Sequence, residues 1–179
     1  MDQRNKVIKI LAEENIRRAR DDFHTYVKVM ADELIPTGFK DGRHIRLICK
    51  ELMEVERSII ETLDGKRTYA RRMQFFLPPG AMKSLLISTL FSTWFLGRNP
   101  KLRVIQVGYN QDFAEDNFGS KVRDIISNSE KFQLIFPRLK IRKDTRAKGR
   151  FSFTLGGEYK ALGATTPYRD WETILTLLL

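Results

Sequence analysis

Apolar residues recur along the first third of the chain with a helical period. In residues 1–20, Val7, Ile10, Leu11 and Ile16 stand among many charges, and in 22–34 Phe23, Tyr26, Val27 and Met30 follow at steps of three and four. Pro36-Thr37-Gly38 interrupts the pattern. It resumes over 44–60, where Ile45, Ile48, Leu52, Val55 and Ile59 share one face, and stops at the turn Asp64-Gly65-Lys66. Residues 1–66 therefore read as a helical, basic lead-in.

The pattern then changes to short apolar runs. Residues 72–77 have the length of a strand buried on both faces. A helix over 84–96 follows, apolar through Leu85, Leu86, Leu90 and Phe91, with Gly97 as its stop. Residues 102–108 form a second strand, rich in β-branched Val104, Ile105 and Val107. Asn110 or Gln111 caps a helix to about Ile126, and Asp112, Glu115 and Asp116 complement the dipole in its first turns. A short helix over 129–136 ends at Pro137. Segments 151–155 and 158–162 pair as a hairpin about Gly156-Gly157. Strand, loop, helix, strand is a βαβ unit, so the expected class is α/β with a parallel sheet.

Between the first strand and its helix stands Leu77-Pro78-Pro79-Gly80-Ala81-Met82-Lys83-Ser84. A tight loop opening a helix on Lys-Ser suits a nucleotide triphosphate: backbone N–H groups and the helix dipole hold phosphate oxygens. The lysine reaches the outer phosphates and the serine ligates magnesium. In the full pattern, G-x-x-x-x-G-K-[ST], glycines stand where this chain has Leu77 and Met82. A side chain at Met82 restricts the turn, because glycine alone visits positive φ freely. A plain Pro-Gly turn with an exposed lysine explains the same residues. The position at the carboxyl end of a strand favours the phosphate reading.

Charge adds a partner class. Lys and Arg total 32 against 22 Asp and Glu, a net charge of +10. Such a surplus favours a polyanion, nucleic acid first and anionic membrane second. Arg138, Lys140, Arg142, Lys143, Arg146, Lys148 and Arg150 follow one another with one acid, Asp144, and either line a phosphate backbone or form a solvated loop. Cys49, on an apolar helix face, is the one cysteine, and a single cysteine excludes an intrachain disulfide and suits a reducing compartment. No apolar run has the length of a membrane span, and no signal peptide is evident. His24 and His44 lack metal-ligand spacing and are expected on helix surfaces or caps. Phe75, Phe76, Phe91, Trp94 and Phe95 are read as core, with base stacking as the alternative.

In combination, three stretches resemble the N-terminal ATPase domain of the large terminase subunit of tailed bacteriophages, the motor that pumps DNA into the procapsid. They are the lead-in from Asp22-Phe23 to Gly42-Arg43-His44-Ile45-Arg46-Leu47-Ile48, the loop Leu77–Ser84, and Trp94–Pro100 with Val107–Ala114 and Lys121–Asp124. The likeness covers roughly residues 22–164. It implies a P-loop NTPase of the additional-strand (ASCE) class, a parallel sheet flanked by helices behind a helical N-terminal lead-in. The implied activity is ATP hydrolysis coupled to translocation of double-stranded DNA, with ATP and Mg2+ as cofactors. Pro79, Gly80, Ala81, Met82, Lys83, Ser84 and Leu85 would form the ATP-binding Walker A loop, with Lys83 catalytic on the β/γ-phosphates and Ser84 on magnesium. The implied partners are the terminase small subunit, the portal protein and further copies in a ring, in the host cell cytoplasm.

The departures from that family carry expectations too. Many relatives have an arginine after the two prolines and a glycine before the lysine; here these are Gly80 and Met82. Arg72 and Arg123 are the candidates within the chain for transition-state charge or DNA contact, beside an arginine from a neighbouring subunit. The family's magnesium-binding aspartate and catalytic glutamate follow an apolar strand, whereas Asp170 and Glu172 precede the apolar run 173–179. The chain thus reads as an incomplete domain over 67–164, with 165–179 as a foreign or truncated tail and no nuclease domain. Little ATP turnover is expected of it alone. Two other readings stay open: a basic DNA-binding module without nucleotide chemistry, and a helicase-like P-loop translocase.

Overall fold

A computed structural model describes residues 3–144 and 147–164, with side chains from Leu11 onward. The chain divides into two compact units, 1–72 and 73–179.

The first unit is helical. Helix α1 spans Gln3–Ala19, α2 Phe23–Leu34 and α3 Arg43–Leu63. Asp22 ends the link between α1 and α2 and caps α2, its carboxylate accepting from the Thr25 N–H at 2.6 Å. The stripe of α3 that the spacing predicts, Ile45, Ile48, Leu52, Val55 and Ile59, is buried together with Cys49. Fully burying each such aliphatic side chain contributes about 1.5–3 kcal/mol. Burial also pushes the Cys49 thiol up to about 12, which keeps it protonated and inert. His24 holds the loop before α3 through Asp41, at 2.9 Å, and Arg46 meets the same carboxylate at 3.1 Å. Past α3 the Ser58 hydroxyl accepts from the Arg71 N–H at 2.8 Å, and Arg71 pairs with Glu51.

In the second unit, a continuous helix over 84–98 (α4) begins as π-type turns, Ser84–Phe91, and becomes α-helical over Ser92–Arg98. Strand β1 is Arg103–Gly108. Helix α5 covers 111–128, with π-type turns at Glu115–Gly119, and α6 is Glu130–Ile135. Strands β2, Arg150–Ser152, and β3, Glu158–Gly163, follow. The sheet runs β1-β3-β2. β1 and β3 are parallel, with Val104 opposite Tyr159 and Gln106 opposite Ala161, while β2 is antiparallel to β3 with Phe151 opposite Tyr159. The sheet is therefore mixed: a parallel sheet was expected, and the hairpin expected about Gly156-Gly157 supplies its antiparallel strand.

Three expectations need correction. Residues 72–77 form no strand: an extended segment holds only when a neighbour takes its N–H and C=O groups, and β1 is paired to β3. Phe76, expected in the core, is 87% exposed as a result. The parallel pair lies one step further along, β1 to β3, joined through α5, α6 and the edge strand β2. Gly97 does not stop α4. It lies inside the last turn, where a Cβ would come within 2.5 Å of the Phe136 ring, so its role is close packing. Phe91, Trp94 and Phe95 of α4 are buried as expected. Asn110 and Ser129 cap α5 and α6, accepting from the Phe113 and Phe132 N–H groups.

Candidate phosphate-binding loop

Residues 77–85 line a hollow of about 350 Å³ made by that one continuous stretch. Its first bend is a type II turn: Ala81 donates its N–H to the Pro78 carbonyl at 3.3 Å, with Pro79 and then Gly80, φ 81°, at the centre. Proline presets the first central position and glycine takes the positive φ of the second.

The second bend falls on Met82, φ 57°, the one non-glycine residue with positive φ among the described residues. Lys83 follows at φ −50°, ψ −54°. A left-handed residue next to a right-handed one turns three successive N–H groups, here Met82, Lys83 and Ser84, toward a common point, a concavity suited to anions. None of the three has an acceptor among the described residues; the next bond of the loop is Leu86 N–H to the Met82 carbonyl at 2.9 Å. The backbone thus adopts at Met82 the sign of φ for which the general pattern uses glycine. A longer side chain in this region costs about 1–3 kcal/mol, a strain that concentrates at functional positions.

Lys83 and Ser84 are exposed on the wall of the hollow. Lys83 has no ion pair among the described residues. Its ammonium and the three N–H groups belong to one lining with no carboxylate among the described residues, a donor set of the kind that takes phosphate oxygens. The Ser84 hydroxyl offers one oxygen to a metal. Among the described residues no group of three or more His, Cys, Asp or Glu could hold one. The loop is anchored by α4, where Leu86, Ile87, Leu90 and Phe91 are buried directly behind it.

Neither candidate arginine is among the described residues that line this hollow. Arg72 belongs to the first unit, where it is exposed. Arg123 lies on α5 in the wall of a second hollow, between the end of α5, α6 and residues 136–141. Asp112, Glu115 and Asp116 do not converge on a metal. Glu115 accepts from Gln111 and Asp116 faces Lys148 at 3.5 Å. His24 is on the surface of α2 against Asp41, and His44 is exposed on α3. Asp170 and Glu172 lie outside the described residues.

Sequence reasoning did not identify Gln111 as a clamp. Its side chain accepts from the Gly163 N–H at 3.0 Å and donates to the Ala161 carbonyl at 3.1 Å, tying the start of α5 to the end of β3. Nor did it pair Tyr159 with Gln106, whose amide oxygen accepts the buried phenol proton at 2.6 Å. Both contacts join residues some fifty positions apart, and no local pattern signals them. No described helix is long and apolar enough to cross a membrane. No protein family, characterised protein or solved structure matches the chain.

Proposed function

We propose that residues 79–85 bind the phosphates of ATP. The observation that carries the reading is the left-handed and right-handed pair Met82-Lys83, which leaves three N–H groups without an acceptor, and a lysine without an ion pair, among the described residues. In this reading the N–H groups of Met82, Lys83 and Ser84 hold the phosphate oxygens, the Lys83 ammonium sits on the outer phosphates, and Ser84 contacts Mg2+. Phosphoryl transfer requires positioning and charge neutralisation more than covalent help, and these groups supply both. The resemblance to phage terminases extends the proposal. The chain would be the ATP-binding part of a DNA-packaging motor acting on double-stranded DNA, in a ring, with the small subunit and portal as partners.

The test is titration of the purified chain with a fluorescent ATP analogue, with and without magnesium. We expect saturable, magnesium-enhanced binding that weakens about 10-fold or more in Lys83→Ala, the equivalent of at least one charge-assisted hydrogen bond. Equal affinity of wild type and variant would remove the proposal.

A second reading, a basic DNA-binding module without nucleotide chemistry, rests on Arg138, Lys140 and Lys143. These exposed cations have no carboxylate partner among the described residues. DNA binding together with no nucleotide affinity would favour it.

A further inference from the structure

Met82 is partly exposed and belongs to the wall of the hollow over 77–85. Its φ of 57° is not helical, Lys83 after it is helical, and its carbonyl accepts the first backbone bond of α4, from the Leu86 N–H at 2.9 Å. Met82 therefore stands where a helix cap stands. At such a position the side chain of serine, asparagine or aspartate accepts from an N–H two or three residues on. A thioether sulfur is only a weak acceptor, and the start of α4 carries no side-chain cap. The Ser84 N–H, two residues on, is one of the three donors assigned above to phosphate.

We propose that Met82 is a redox switch on this loop, which loses its hold on nucleotide when the sulfur is oxidised; the inference rests on the phosphate reading. A peroxide transfers one oxygen atom to the thioether sulfur. The sulfur is oxidised to the sulfoxide and the peroxide is reduced to water or an alcohol. The product is a polar side chain whose oxygen is a good acceptor, carried by the cap residue itself. That oxygen takes the place of the missing cap at the Ser84 N–H and competes there with a phosphate oxygen. It also puts the negative end of a bond dipole on the wall of a hollow that has to receive an anion. The other described methionines lack this position. Met30 is buried in the core of the first unit, and the partly exposed Met53 and Met73 do not line the hollow.

The full chain is titrated with the fluorescent ATP analogue and magnesium before and after hydrogen peroxide, with the oxidised residues located by peptide mass spectrometry. We expect oxidation at Met82 to weaken binding about 10-fold or more, the equivalent of one hydrogen bond to a charged group. Methionine sulfoxide reductases should restore it. Met82→Leu carries no sulfur at this position, so its affinity, whatever its value, should be the same before and after peroxide. A double variant, Met53→Leu with Met73→Leu, should stay peroxide-sensitive. Unchanged affinity of the chain oxidised at Met82, resistance of Met82 to peroxide in the folded chain, or an equal loss in Met82→Leu overturns the inference and leaves the phosphate reading standing. Absence of nucleotide binding by the untreated chain removes both.

Discussion

Substitution of Met82 tests the backbone that the phosphate loop rests on. The residue sits at φ 57°, half-buried, with the open loop on one side and α4 on the other. An L side chain in the left-handed region costs about 1–2 kcal/mol, from the approach of Cβ to the following carbonyl oxygen. Glycine removes that cost and adds about 0.5–1 kcal/mol of unfolded-state entropy to be lost on folding. Either truncation gives up the partial burial of the methionine side chain, about 1 kcal/mol for half of a fully buried one. Met82→Ala keeps the strain and should destabilise the chain by about 1 kcal/mol, whereas Met82→Gly should be roughly 0.5–1 kcal/mol more stable than the alanine variant. Urea unfolding of both variants, followed by circular dichroism, gives the difference directly, because the burial term cancels between them. Nucleotide titration completes the series. Met82→Gly should keep or improve affinity, and Met82→Pro, which loses one N–H and fixes φ near −65°, should abolish it. An alanine variant equal to or more stable than the glycine one would show that Met82 is not left-handed, and the donor cluster would lose its basis.

Other expectations follow from the packing and the charges. Gly97→Ala would drive a Cβ to within 2.5 Å of the Phe136 ring and should destabilise by about 1–3 kcal/mol in urea unfolding, although alanine is the better helix former. Burial acts to raise the Asp41 pKa, but hydrogen bonds and charge from His24 and Arg46 outweigh it and hold the pKa below the usual carboxylate value. A depressed carboxylate pKa stabilises above its unfolded value and loses that contribution as pH falls through the folded one. Acid should therefore reduce the stability gap between wild type and Asp41→Asn, read as urea midpoints at neutral pH and below pH about 3.5. Cys49, buried and pushed up to about 12, should resist iodoacetamide in the native chain and react in denaturant.

The helices and the Asn110 cap were legible because their causes are local, and the unread caps Asp22 and Ser129 are of the same kind. Asp22, Asn110 and Ser129 each bond an N–H three residues on, and the buried stripe of α3 is a period in the sequence itself. Gly97 misled for the converse reason. A glycine near a helix end is read as a terminator, but here Phe136, thirty-nine positions later, needs the space that a side chain would fill. The run at 72–77 misled in the same way, since strand propensity becomes a strand only where a partner supplies hydrogen bonds.

Met82 is the more instructive case. Its side chain argued against a turn that the surrounding residues favour: Pro78, Pro79 and Gly80 set the first bend, and the apolar face of α4 fixes where the helix must begin. With both ends determined, the chain has few residues in which to reverse direction, and the remaining rotation falls on Met82 whatever its propensity. That penalty of about 1–2 kcal/mol is small beside the burial of Leu86, Ile87, Leu90 and Phe91, each contributing about 1.5–3 kcal/mol. Packing of the helix therefore overrides local preference at one residue, and the same override presents three N–H groups to an anion. If so, removing the packing should release the loop. A cavity variant such as Leu90→Ala, expected to cost about 2–5 kcal/mol, should weaken nucleotide binding before it unfolds the chain, and a variant that loses the same stability elsewhere should not.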